Sequence, residues 1–283
     1  MKKLIIGGVP EHFNLPWQLA IDAKKFEQAG IELTWRDFPK GTGDLNRALR
    51  AKEIDLAVIL TEGIVRDIVQ GNPAKIVQVY VKSPLLWGIH VAAGSDYQTV
   101  ADLKGSHAAI SRYGSGSHLM AFVNAENHGW NLEEDLKFEV IDDLAGALKA
   151  LPEGRGDYFM WEKFMTKPHV DSGVFRRVGE CPTPWPSFVI AARNDILEDA
   201  GEQVRAVLKV INSETATFKE LPGVEAIIAE RFGQKPADVK EWLSLTQWAS
   251  EALTGAELED VQQKLVQLEL IDNARAAQDI LAL

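Results

Sequence analysis

One cysteine, Cys181, stands in a chain of 283 residues, so no intramolecular disulfide can form and the fold does not advertise an oxidising compartment. That cysteine has no CxxC partner, and the histidines at 12, 90, 107, 118, 128 and 169 show no metal-ligand spacing. No metal and no cofactor are expected. Basic residues are in deficit: 30 Lys and Arg against 41 Asp and Glu give a formal net charge of −11, and none of them forms a run. A nucleic-acid binder needs a clustered Lys/Arg surface to displace counterions from phosphates, so nucleic acid is excluded as a partner, and so is an anionic membrane surface. Long apolar runs are missing too, since nothing approaches the roughly 20 residues needed to span a bilayer and no membrane insertion is expected. The opening Met1 to Pro10 briefly mimics a signal peptide, but its apolar run is short and Glu11-His12 follow without a cleavage site. It reads as a first strand. A cytoplasmic location is therefore expected, with a periplasmic or lipoprotein location the alternative if the numbering begins at a processed end. There is no Walker loop, no third glycine after Gly114-Ser115-Gly116 to complete a dinucleotide fingerprint, no internal repeat and no low-complexity segment.

What is present is a balanced globular composition, 46% hydrophobic and 25% charged, in a chain long enough for two compact lobes. Strand and helix patterns alternate from the start, as in sheets of mostly parallel strands flanked by helices. Strands are expected at 3–9, 31–37, 54–60, 74–81, 86–93, 107–111, 138–141, 157–160, 174–178 and 187–192. The apolar strand at 54–60 reads as buried on both faces. Helices are expected at 16–28, through Leu45 and Leu49, after Thr61, from the serine-rich turn to Asn127, and at 144–151. A helical C-terminal tail follows, at 202–220, 222–232, 236–250 and 255–268. The pattern implies an α/β architecture in which 1–92 begins one lobe, 93–184 builds a second, and 185–283 returns to finish the first. A ligand is then expected in an interlobe cleft, beyond the carboxyl ends of the strands.

Ser111-Arg112-Tyr113-Gly114-Ser115-Gly116-Ser117-His118 carries the most chemistry. A strand hands over to a helix there through small hydroxyl-bearing residues, so main-chain N–H groups without an intrahelical partner point outward and the helix dipole favours negative charge. Ser115 and Ser117 can cap the helix or donate to an anion, and an ordinary capped turn fits the same residues. Gly41-Thr42-Gly43 repeats the logic in the first lobe. After the first strand, Phe13 and Trp17 offer π faces and Asn14 a donor and an acceptor, while His12 reads as a solvated loop histidine. Thr61-Glu62 brings a carboxylate to the end of the most apolar strand, where a favourable helix start is the structural alternative. Trp161-Glu162 ends another strand, and a buried Glu162 needs a partner in a ligand, Arg112 or Lys163. Trp17, Trp161 and Trp185 suit core packing as well as a ligand platform. Asp142 and Asp143 read as caps for the next helix.

Several of these stretches together resemble one superfamily. Gly41-Thr42-Gly43, Ile54-Asp55-Leu56-Ala57-Val58, Val100-Ala101-Asp102-Leu103-Lys104-Gly105 and the serine-rich turn are similar to the type II periplasmic-binding-protein superfamily, in its branch for thiamine pyrimidine precursors, nitrate and sulfonates. Trp161-Glu162-Lys163-Phe164 and Pro184-Trp185-Pro186 further resemble a leaderless subgroup from bacteria and fungi. The resemblance covers residues 1 to about 220, with Asp102 to Gly105 and the serine turn its most specific part. It implies a Venus-flytrap fold closing on a small molecule, with Phe13, Asn14, Thr42, Thr61, Ser115, Gly116 and Ser117 as contacts. The absent leader leaves a permease or regulatory partner open. Fungal pyrimidine synthases of this fold use clustered cysteines, an activity not expected with Cys181 alone. The resulting expectation is a non-enzymatic binder of a small polar or anionic, planar metabolite, for transport or sensing. The alternative is a cytosolic enzyme on the same scaffold, resembling the dehydratases of the menaquinone pathway, with Glu62, Glu162 and His118 as acid/base groups.

Overall fold

In the computed structural model, which describes residues 2–282, strand and helix alternate and the strands sort into two sheets of five. The first part of the chain gives β1 (Lys2–Gly8), α1 (Leu15–Asp22), α2 (Lys25–Gln28), β2 (Ile31–Asp37), α3 (Thr42–Arg50), β3 (Leu56–Leu60), α4 (Thr61–Val69) and β4 (Ala74–Val81). The middle part gives β5 (Leu86–Ala92), β6 (His107–Ile110), α5 (Gly116–Asn127), β7 (Lys137–Val140), α6 (Leu144–Ala150), β8 (Tyr158–Glu162), α7 (Lys167–Asp171) and β9 (Phe175–Pro182). The last part adds β10 (Phe188–Arg193), α8 (Asn194–Thr217), α9 (Val224–Phe232), α10 (Pro236–Leu245), α11 (Gly255–Gln267) and α12 (Ala277–Ile280). The chain forms one lobe up to Ser83 and again from Trp185, and a second lobe over Pro84–Pro184.

The first lobe's sheet has the order β2-β1-β3-β10-β4, with β10 antiparallel to both neighbours and the other strands running one way. Its centre is set by composition. The sequence Leu56-Ala57-Val58-Ile59-Leu60 is buried at every position but the last, and all of β10 is buried, so both strands need helices on both faces. Each large aliphatic side chain taken out of water there contributes about 1.5–3 kcal/mol. The helical tail supplies part of that cover, packing α8 on α1, α11 on α4 and α12 on β4.

The second lobe repeats the scheme as β7-β6-β8-β5-β9, with β5 the antiparallel member. This corrects the sequence boundary at residue 92. The strand Leu86–Ala92 belongs to the second sheet, because Trp87 lies opposite Glu162 on one side and Cys181 on the other. Two helix expectations also change. The helix expected at 16–28 is broken in two where Lys24 takes a left-handed φ of 55°. The helix expected from 202 starts at Asn194 and bends at Ala200, whose φ is −142°.

Trp17 is a core residue of the first lobe and not a ligand platform. Its side chain is fully buried, its ring lies parallel to that of Phe26 at 5.9 Å, and Tyr80 of β4 packs at the same distance. Truncating so large a buried ring leaves a cavity that the close-packed surroundings cannot fill. Trp17→Ala is expected to lower unfolding stability by about 3–5 kcal/mol in a urea titration. Trp17→Phe should keep most of that stability.

Candidate functional site

In the second lobe the turn after β6 is tied together by its own hydroxyls. Ser115 is the N-cap of α5, with φ −78° and ψ 169°, and its Oγ accepts from the N–H of His118 at 3.3 Å. The Oγ of Ser117 accepts from the N–H of Ser111 at 3.0 Å and sits 3.0 Å from that of Ser115. Gly114, at φ 77°, donates its N–H to Nδ1 of His118 at 3.1 Å, which places the proton of a neutral ring on Nε2. Edge-on contacts with Tyr113, Phe122 and Phe138 hold that ring in place. The hydroxyls therefore build the loop. Among the described residues, the N–H groups of Gly116 and Ser117, the first two of α5, meet no acceptor. They face the positive end of a three-turn helix. Tyr113, 66% exposed, stands on the same turn.

At the end of β8 in this lobe, Glu162 makes two main-chain contacts. Its Oε2 accepts from the N–H groups of Phe164 and Met165 at 2.9 and 2.6 Å, so it anchors the turn leading to α7. The half-buried Trp161 stacks on Phe159 at 5.3 Å. Asp143 caps α6 by accepting from the N–H of Gly146 at 2.9 Å.

In the first lobe, Phe13 and Asn14 lie in the short turn after β1. Phe13 packs against Phe188 and Trp242, and its carbonyl accepts from the Tyr80 hydroxyl at 2.8 Å. Its ring is a packing element, 5% exposed. Asn14 donates to the Val9 carbonyl at 2.8 Å, while its Oδ1 is buried without a partner. His12 is no solvated loop residue. Its ring is fully buried, stacked on Trp242 at 4.0 Å, and burial pushes its pKa down to about 3.

Two helices begin side by side on this lobe without a side-chain cap. Gly41, with φ 80° and ψ −157°, opens α3, and the N–H groups of Thr42 and Gly43 meet no acceptor among the described residues. A Cβ at Gly63 in the first turn of α4 would collide with the Thr42 methyl, so glycine lets the two helix starts touch. The Asn46 amide spans the pair by donating to the Gly63 carbonyl at 3.1 Å. Thr61 docks α4 on the returning chain, donating its N–H to the Ser187 carbonyl at 3.2 Å and its hydroxyl to the Pro186 carbonyl at 2.5 Å. Beside it Glu62 is 1% exposed, its Oε2 accepting from Nε1 of Trp185 at 2.7 Å. Its Oε1 is buried with no partner among the described residues. Burial pushes the carboxyl up to about 7, opposed by its own N–H and the Trp185 indole. The Trp185 contact has no local sequence signal, because it joins residues 123 apart.

Residues 87–181 match the family model of Ca3427-like periplasmic binding proteins. The whole chain is similar in structure to the Candida albicans CA3427 gene product, described as defining a new family with the generic periplasmic binding protein fold, at TM-score 0.89 and 25% identity over 97% of this chain and 92% of that one. It is also similar to the alkanesulfonate-binding protein SsuA from Xanthomonas axonopodis pv. citri bound to MOPS, at TM-score 0.83 and 21% identity over 98% and 97%. PhnD1 from Prochlorococcus marinus in complex with methylphosphonate gives TM-score 0.65 and 13% identity over 95% and 99%. No curated protein sequence matches the chain. The fold is thus the two-lobed one of the periplasmic binding proteins, and the second lobe carries the Ca3427-like signature.

Four buried groups set a pH profile for folding. Burial pushes Glu11 and Glu62 from 4.5 up to about 7, so their stability is complete below 4.5 and is lost as pH rises through 7. His12 and His90 are pushed from 6.5 down to about 3, so theirs is complete above 6.5 and is lost as pH falls through 3. The opposing slopes cancel between 4.5 and 6.5, giving a plateau there and a decline on either side. Glu62→Gln removes one acid from this balance. Relative to wild type it should gain up to about 3 kcal/mol by pH 8, with a difference that shrinks toward zero near pH 4.5, measured by denaturant titration across pH.

Proposed function

We propose that this protein binds a small, planar, polar or anionic molecule, in the service of uptake or sensing, and performs no chemistry on it. The observation that carries this reading is the pair of open N–H groups of Gly116 and Ser117 at the start of α5. Two adjacent main-chain donors at a helix N-terminus form a receptor for an oxyanion or a carbonyl oxygen, with the dipole adding to the attraction. The exposed ring of Tyr113 on the same turn supplies a face for a planar group, worth about 0.5–1.5 kcal/mol beyond the area it covers. Two proteins of the same fold, seen with MOPS and with methylphosphonate, hold small acidic molecules, which supports the same class of ligand here.

Replacing Ser115 or Ser117 would dismantle the turn itself, because their hydroxyls hold it together. Gly116→Pro is the cleaner probe. Proline is favoured at the first helical position, and Ser115 already has the extended backbone that a residue before proline requires. The substitution deletes one open donor and leaves the helix intact. A thermal-shift panel of alkanesulfonates, aromatic carboxylates and pyrimidines should give at least one stabilising compound with wild type. Gly116→Pro should keep the unliganded Tm and bind that compound about tenfold more weakly, as expected for the loss of one hydrogen bond to a charged group. Unchanged affinity would refute the receptor.

A further inference from the structure

Glu62 combines properties that packing does not explain. It is buried and ionisable, one of its oxygens is held by Trp185 at 2.7 Å, and the other has no partner. Several donors on the same and the packed elements are engaged elsewhere. The Thr61 hydroxyl goes to the Pro186 carbonyl and the Asn46 amide nitrogen to the Gly63 carbonyl. On the packed elements, Arg50 of α3 binds Asp67, and Arg193 of β10 binds Asp55 and Asp195. A buried acceptor left unmet is destabilising, and that loss is recovered when a donor arrives. The residue lies in the first turn of α4, whose next residue, Gly63, touches Thr42 at the start of α3, where the N–H groups of Thr42 and Gly43 meet no acceptor among the described residues.

Resting on the reading of the protein as a small-molecule binder, we infer that Glu62 sets the ligand class in the first lobe. Its Oε1 accepts an N–H of the ligand, while the N–H groups opening α3 donate to an acceptor beside it. The matching chemistry is a primary amide or an amino-azine edge, in which a C=O or ring nitrogen stands next to an N–H donor. A carboxylate or sulfonate seated at this point would meet a second acidic group, and an ester would leave Oε1 unmet. The raised pKa of Glu62 fits this arrangement, because the N–H of an incoming ligand favours the ionised form that burial alone disfavours.

Benzamide and methyl benzoate make a matched probe pair, alike in ring and carbonyl and different in the N–H donor. By calorimetric titration at pH 8, wild type is expected to bind benzamide at least about tenfold tighter than methyl benzoate. Glu62→Gln puts an NH2 where Oε1 stands, so it should weaken benzamide at least about tenfold and leave methyl benzoate bound as well or better. Equal affinity of wild type for the two probes overturns the inference without reliance on the variant, and so does a parallel loss of both probes in a folded Glu62→Gln protein. If neither probe binds wild type while the thermal-shift panel yields a ligand, the assignment of Glu62 fails and the binding function stands. If the panel also yields nothing, both fail.

Discussion

A strand that turns directly into a helix leaves the first main-chain N–H groups of that helix without acceptors, and this backbone constraint shapes the carboxyl ends of both sheets. Capping side chains normally meet the shortfall. Here they meet only part of it. Ser115 serves His118, Ser117 serves Ser111, and the N–H groups of Gly116 and Ser117 remain open. In the first lobe α3 and α4 have no side-chain cap at all, and the contact between Thr42 and Gly63 brings their positive ends together. The apolar cores of the two sheets hold these starts in position, so the donors are fixed before any ligand arrives. Such preorganisation lowers the cost of binding.

Burial also leaves groups in both lobes that work against stability. Glu11 and Glu62 are acids raised by burial, and His12 and His90 are bases lowered by it. The histidines are accommodated as neutral rings: His12 stacks on Trp242, and His90 lies within hydrogen-bond reach of Thr166 at 2.9 Å. Glu62 is an acid with one carboxyl oxygen on the Trp185 indole and the other unmet among the described residues. Buried polar groups are ordinarily satisfied, so a buried acid that keeps an open acceptor is a feature that folding alone does not account for.

Much of the architecture was legible because strand and helix periods differ and because glycine and serine punctuate the turns. The apolar run Leu56 to Leu60, the Ser115 cap and the Asp143 cap were all readable locally. Features set by distant partners were not. The strand Leu86–Ala92 reads equally well in either lobe until its pairing with β8 and β9 is known. Lys24 breaks a helix through a left-handed backbone angle that no composition rule requires of lysine. Phe13, Trp17 and His12 sit at a helix start that looks like a ligand loop, yet aromatic packing with Phe26, Trp242 and Phe188 claims them. The Glu62 and Trp185 contact joins the two separate segments of the first lobe's sequence, and only the folded sheet brings them together.

The central claim is that open main-chain donors receive the ligand, and amide NMR observes those donors directly. In a 15N-labelled sample titrated with the strongest stabilising compound of the screening panel, the N–H signals of Gly116 and Ser117 should move downfield in proportion to occupancy. Saturation of the protein with those two signals unmoved would contradict it.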